Sequence, residues 1–128
     1  MTAIGKESEN GFAKHHHLLK PAEFKQVYSH KTWSGNREFA VNLCPNKHSF
    51  ARLGLVVSRK VSKRAVVRNL IKRQIREWFR HNKQDLNGFD LIVTAKTSVA
   101  TKTNTEIQTS LADLWKKALK KSSSCQSL

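Results

Sequence analysis

Between residues 59 and 83 lie ten basic side chains, Arg59, Lys60, Lys63, Arg64, Arg68, Lys72, Arg73, Arg76, Arg80 and Lys83, against the single acid Glu77. The chemistry open to such a set is holding rather than cutting. Guanidinium forks and ammonium groups grip phosphate oxygens, and a run so rich in one sign repels itself unless an anion lies along it. This stretch supplies nine of the chain's fifteen net positive charges. Phe24 and Tyr28 form a second set, one helical turn apart, with Lys20, Lys25, His30, Lys31, Trp33 and Arg37 around them in sequence. Rings flanked by cations suit a single-stranded nucleic acid, whose bases stack while its backbone is tracked. A Phe at this spacing serves equally well to dock a helix on a sheet, whereas Tyr28 is expected partly exposed because its hydroxyl needs a partner.

Groups with the spacing of a catalytic or metal centre are not found. No carboxylate pair suits general acid–base work and no Gly-rich loop could cradle a phosphate, so the catalytic and metal sets are read as none. Cys44 precedes Pro45 and Cys125 sits in a Ser-rich end, neither a zinc spacing nor a disulfide framework. Both thiols are expected unbridged. His15-His16-His17 lacks acidic or thiol partners and is a weak metal signal. No apolar run approaches the roughly 20 residues needed to span a bilayer, and Met1 to Lys14 lacks the apolar segment of a secretory signal. A cytoplasmic chain without a membrane partner is expected.

The elements that must position these groups follow from periodicity. At 128 residues and 38% hydrophobic content the chain suits one domain with a modest core. Residues 1–17 read as a flexible arm, 18–120 as the folded domain and 121–128 as a flexible polar tail. Phe24, Val27 and Tyr28 recur on one face of a short helix, with Pro21 suited to its first turn. Glu38 to Leu43 and Leu53 to Ser58 alternate as two strands, expected to pair as a hairpin. From Lys63 to His81, Val67, Ile71, Ile75 and Trp78, flanked by Phe79, form an apolar stripe of helical period. At about 100° per residue, Arg64, Arg68, Lys72, Arg76 and Arg80 line the adjoining face with Asn69 and Arg73 among them, a cationic ridge beside a core face. Asn87-Gly88 then breaks the pattern. FDLIVTA follows as a nearly unbroken apolar run, the pattern of a strand covered on both faces. Thr103 and Glu106 stand in capping-box spacing before a last helix carrying Ile107, Leu111, Leu114, Trp115 and Ala118. The order is αββαβα, with an added strand around Trp33 making αβββαβα.

LGLVVSRKVSKRAVVRNLIKRQIREWFR, residues 53–80, resembles the signature of the bacterial ribonuclease P protein component. The resemblance rests on Arg59-Lys60 at a strand end, Ala65, Arg68-Asn69, Ile71-Lys72-Arg73 and Arg76-Glu77. It extends outward to Phe24, Val27 and Tyr28, to FDLIVTAK and to the last helix, covering roughly residues 18–120. It implies an α+β fold, a two-layer α/β sandwich with a mostly antiparallel sheet and a left-handed βαβ crossover, against the right-handed norm. The implied partners are the ribonuclease P RNA subunit, met by Arg59, Lys60, Arg64, Arg68, Asn69, Lys72, Arg73 and Arg76, and precursor tRNA. The 5′ leader of that tRNA would meet Phe24, Tyr28, Lys25, Arg37 and Phe39. Leu70 stands where the signature most often has a third Arg, and Asn42 where some relatives carry an aromatic.

The implied function is that of a protein cofactor in a ribonucleoprotein endoribonuclease that removes the leader to give the mature tRNA 5′ end. Catalysis would reside in the RNA. Mg²⁺ would be bound mainly by that RNA and none tightly by the protein, a monomer within the particle. A basic ridge also fits a ribosomal or RNA-chaperone protein with no part in cleavage, and a self-sufficient protein nuclease is a third class.

Overall fold

The computed structural model describes residues 20–46 and 48–126; the expected arm, 1–17, lies outside them with His15-His16-His17. The elements in order are α1 (Pro21–Ser29), β1 (Thr32–Gly35), β2 (Phe39–Pro45), β3 (Arg52–Val56), α2 (Ala65–Asn82), β4 (Phe89–Ala95) and α3 (Asn104–Gln126), with short 3₁₀ turns at Lys83–Leu86 and Thr97–Thr101. The strand at Trp33 is present. β3 stops at Val56, so Arg59 and Lys60 stand in the turn that follows rather than on the strand end.

The four strands lie in the order β1-β2-β4-β3. β2 and β3 do not form the expected hairpin. β4 lies between them, antiparallel to β2 and parallel to β3, and the antiparallel hairpin is instead β1 with β2. The physical reason is apolarity. Leu91 and Val93 line one face of β4 and Ile92 the other, all fully buried, so β4 takes an interior position where both faces and both edges are covered. The connection from β2 to β3 passes round its end: Asn46 N–H donates to Gly88 O (2.7 Å) and Gly88 N–H to Phe50 O (3.3 Å). Gly88 holds φ +89, a conformation that glycine adopts without steric cost.

Strand alternation gives the sheet two faces. Phe39, Val41, Leu43, Leu53, Leu91 and Val93 belong to the main core, into which α2 sends Ile71, Ile75 and Phe79 and α3 sends Ile107, Leu111, Leu114, Trp115 and Ala118. Trp78 meets Trp115 edge to face at 4.8 Å between ring centroids. On the other face a smaller cluster of Val27, Cys44 and Ile92, with Phe24 and Val56 against it, seats α1.

The capping box forms as spaced: Glu106 N–H donates to Thr103 Oγ1 (3.2 Å) and Thr103 N–H to Glu106 Oε1 (2.8 Å). α3 runs on to Gln126, so the segment expected as a tail from 121 continues the helix, with Ser122 buried and its hydroxyl donating to Leu119 O (2.8 Å). Residues 127 and 128 lie outside the described residues.

Candidate nucleic-acid interface

α2 starts under electrostatic strain. Arg64 occupies the N-cap position without a capping side-chain bond, and no acid stands in the first turn. Lys63 and Arg64 therefore add charge at the positive end of the helix dipole, where an anion would relieve both. Arg68 is partly committed: its Nη1 donates to the carbonyls of Ser62 and Lys63, 3.0 Å each, and fastens the entry loop to the helix.

Beyond it the ridge is open. Arg59, Lys60, Lys63, Arg64, Asn69 and Arg73 are exposed, while Lys72 and Arg76 are partly buried along the helix. Among the described residues no carboxylate pairs with any of these cations. Glu77, the one acid, is held by Arg80, whose guanidinium keeps that carboxyl below its ordinary range. Arg80 is thereby occupied. Lys83 leaves the surface altogether: it is buried, and burial pushes its ammonium pKa down.

The opposite face of the sheet carries the aromatic set. α1 lies over the Cys44 and Ile92 end, with Val27 fully buried, Phe24 partly buried against the cluster and Tyr28 43% exposed. Lys25 is exposed on the same helix. Cross-strand register puts Trp33 opposite Asn42, and Asn42 opposite Ile92, in one row on this face. Trp33 is 60% exposed, more open than Tyr28.

Charge anchors α1 here. Arg52 donates Nε to Asp90 Oδ1 (2.9 Å), Nη2 to Asp90 Oδ2 (2.7 Å) and Nη1 to Glu23 Oε2 (2.8 Å), while Asn46 Nδ2 donates to Asp90 Oδ1 (2.8 Å). The fork and its two carboxylates are mostly shielded from water. The bidentate bonds to Asp90 raise the guanidinium pKa further above its ordinary value. Glu23 also accepts the Lys20 N–H (3.0 Å), so the start of α1 is tied to β3 and β4 through one side chain.

A profile of the Ribonuclease P family matches residues 12–119. The chain belongs to the ribonuclease P protein family. It is 47% identical over 106 residues to the ribonuclease P protein component of Chromobacterium violaceum, an alignment covering 83% of this chain and 88% of that one. Among solved structures it resembles the RNase P protein of Staphylococcus aureus, with a TM-score of 0.76 and 38% identity over 80% of this chain and 94% of that one. The Thermotoga maritima RNase P protein gives 0.70 and 29% over 79% and 96%. The family is that of the protein subunit of ribonuclease P, a tRNA-processing ribonucleoprotein endoribonuclease.

Within this ribonuclease P protein, the residues expected at the RNA subunit gather along α2 and its entry turn. The residues expected at the leader divide. Phe24, Lys25 and Tyr28 share α1. Phe39 does not join them: it is fully buried in the main core, because alternation along β2 sends Phe39, Val41 and Leu43 toward α2 and α3 and leaves Ala40, Asn42 and Cys44 facing α1. Arg37 lies in the turn between β1 and β2, beside Asn36, Lys102 and Thr109, at the far end of β2 from Cys44. Two features escaped the sequence reading. Trp33 was legible only as a neighbour in sequence until β1 was paired with β2. The Arg52 cluster left a signal, a charged residue in each of two otherwise apolar strands.

Proposed function

We propose that this chain binds the catalytic RNA of ribonuclease P along α2 and the single-stranded 5′ leader of precursor tRNA across the α1 face, and so assists removal of the leader without cutting RNA itself. The supporting observation is the ridge: Arg64 and Arg73 face water and, with the partly buried Lys72 and Arg76, have no pairing carboxylate among the described residues, on a helix anchored by Ile71, Ile75 and Phe79. Phosphates laid along it release counterions and relieve the mutual repulsion of the side chains. On the opposite face Tyr28 and Trp33 offer ring surfaces to unstacked bases, with Lys25 for the backbone.

The described residues bring no three His, Cys, Asp or Glu together as metal ligands. This reading assigns Mg²⁺ to the RNA. No described helix is long and apolar enough to cross a membrane, and the proposal places the chain in the cytoplasm as a monomer within the particle.

Reconstitution tests the reading. With its ribonuclease P RNA at low Mg²⁺, the purified chain should restore cleavage of precursor tRNA at the mature 5′ end, while the chain alone cuts nothing. RNA binding without stimulation would move the protein to the ribosomal or chaperone class, and metal-dependent cutting by RNA-free protein would make it a nuclease in its own right.

A further inference from the structure

Where α2 and α3 diverge, they leave a cleft of about 520 Å³ over the buried Leu111. Its size is that of a small-molecule site, yet its lining differs from the ridge beside it. Leu70 and Trp78 provide apolar wall, and the amides of Gln74, Asn104 and Gln108 stand around it. Arg73 forms the lip shared with the ridge, exposed and without a carboxylate partner among the described residues. Two observations show that the cleft is incomplete as it stands.

The first is an orphaned acceptor. Gln74 Nε2 donates to Asn104 Oδ1 (3.1 Å), which turns Gln74 Oε1 into a buried position where no donor reaches it. A buried carbonyl oxygen left unpaired costs about as much as a lost hydrogen bond. Asn104 is exposed, so its Nδ2 can bond to water and stands open to a ligand. A buried unpaired acceptor and a water-facing donor thus belong to two amides already bonded to each other.

The second is exposed apolar surface. Leu70 is 46% exposed at the cleft, and Val66, one turn earlier, is 71% exposed, on a helix whose other outward positions are mainly charged or polar. A flat, apolar-faced ligand bearing a donor beside an acceptor at its edge would satisfy both observations. Nucleobases have that chemistry: adenine carries a donor at N6 beside an acceptor at N7, the pair that side-chain amides recognise. The ridge supplies the means of delivery, because a phosphodiester chain gripped by Arg73 runs past the mouth.

We propose that the α2–α3 cleft receives one unstacked nucleobase from the RNA held along the ridge. Leu70 packs on the ring, the Gln74 amide turns to bring its buried, unpaired Oε1 to the base edge, Asn104 Nδ2 donates to that edge, and Arg73 meets the adjoining phosphate. This inference rests on the RNA-binding reading above but concerns a base-reading site separate from the phosphate ridge and from the α1 face.

Side-chain amide NMR of the full chain tests it directly, with adenosine 5′-monophosphate as probe and ribose 5-phosphate as the phosphate-only control. The nucleotide should shift the Gln74 and Asn104 amide signals and the sugar phosphate should not. Shifts confined to the ridge with both compounds would overturn the proposal. Gln74→Leu supplies a second arm. Removing an unpaired buried acceptor should leave thermal stability equal or higher, abolish the nucleotide shift, and weaken binding of the ribonuclease P RNA by roughly 5-fold or more, the loss expected for an amide–base pair. A Gln74→Leu chain that binds this RNA as tightly as the wild type would refute the site. Failure of the wild-type chain to stimulate cleavage would sink the proposed function instead, while the nucleotide titration still decides the cleft.

Discussion

The two faces of the sheet solve opposite problems with opposite materials. On the α2 side an apolar stripe holds the helix and its charges are turned outward; of the ridge cations only Arg80 has a carboxylate partner, Glu77, among the described residues. On the α1 side a small apolar cluster around Val27 and Ile92 and a shielded charge cluster together hold the helix, and the rings are turned outward, Tyr28 and Trp33 among them. One face displays charge and the other displays rings. Exposed charge suits sequence-independent grip on phosphates, and exposed rings suit bases already out of their stack.

The hardest blow to this division is Arg52→Ala. It leaves Asp90 buried without its cation and takes the Arg52 bond from Glu23, at a cost of about 3 kcal/mol, the low end for breaking a shielded ion pair because Arg52 keeps some water contact. Urea denaturation should show the loss. Affinity for a leader-bearing substrate should fall while binding of the RNA subunit through α2 survives; equal losses in both would mean that the faces are not independent.

Trp33→Ala and Tyr28→Ala come next, each weakening leader-bearing substrates by about 1–3 kcal/mol per base stacked and sparing mature tRNA. Competitive binding of the two substrates measures the difference, and a parallel loss for mature tRNA would assign the rings to structure.

A finer cut separates open from occupied arginines. Arg73→Ala and Arg76→Ala should each lower the log–log salt slope of RNA binding by about one, whereas Arg80→Ala should barely change it because Glu77 already holds that guanidinium. A full unit lost at Arg80 would show that RNA displaces Glu77.

The smallest effect is a pH dependence. The Glu77 carboxyl is held below its ordinary 4.5 by Arg80. Its folded pKa is depressed, so its contribution is present above 4.5 and is lost as pH falls through the lower folded value. The pair is exposed, so the amount is at most about 1 kcal/mol. Glu77→Gln should remove that part of the acid-side slope in a pH series of unfolding curves.

Much of the α2 face was legible because its information is local. Ile71, Ile75 and Phe79 repeat at helical spacing, and the same count places Arg64, Lys72 and Arg76 beside them. Thr103 and Glu106 likewise announce a helix start within four residues. The strand pairing was not legible in the same way. β2 and β3 follow each other in sequence, and only the two-sided apolarity of Leu91 to Val93 hints that β4 separates them. Phe39 illustrates the limit: alternation groups it correctly with Val41 and Leu43, but which side α1 covers depends on contacts across the whole fold. The burial of Lys83 is equally illegible, because a basic stretch gives no sign of where its helix stops.

One consequence follows from the position of the sheet. The ridge and the rings lie on opposite sides of a single strand layer with α2 standing on it, and a helix alone is about 10 Å across. Two polyanionic strands seated there would be held further apart than the width of one helix, with the chain's net charge of +15 between them. The domain would then act as a cationic shim, its charge offsetting the repulsion between the strands while it keeps both within one particle.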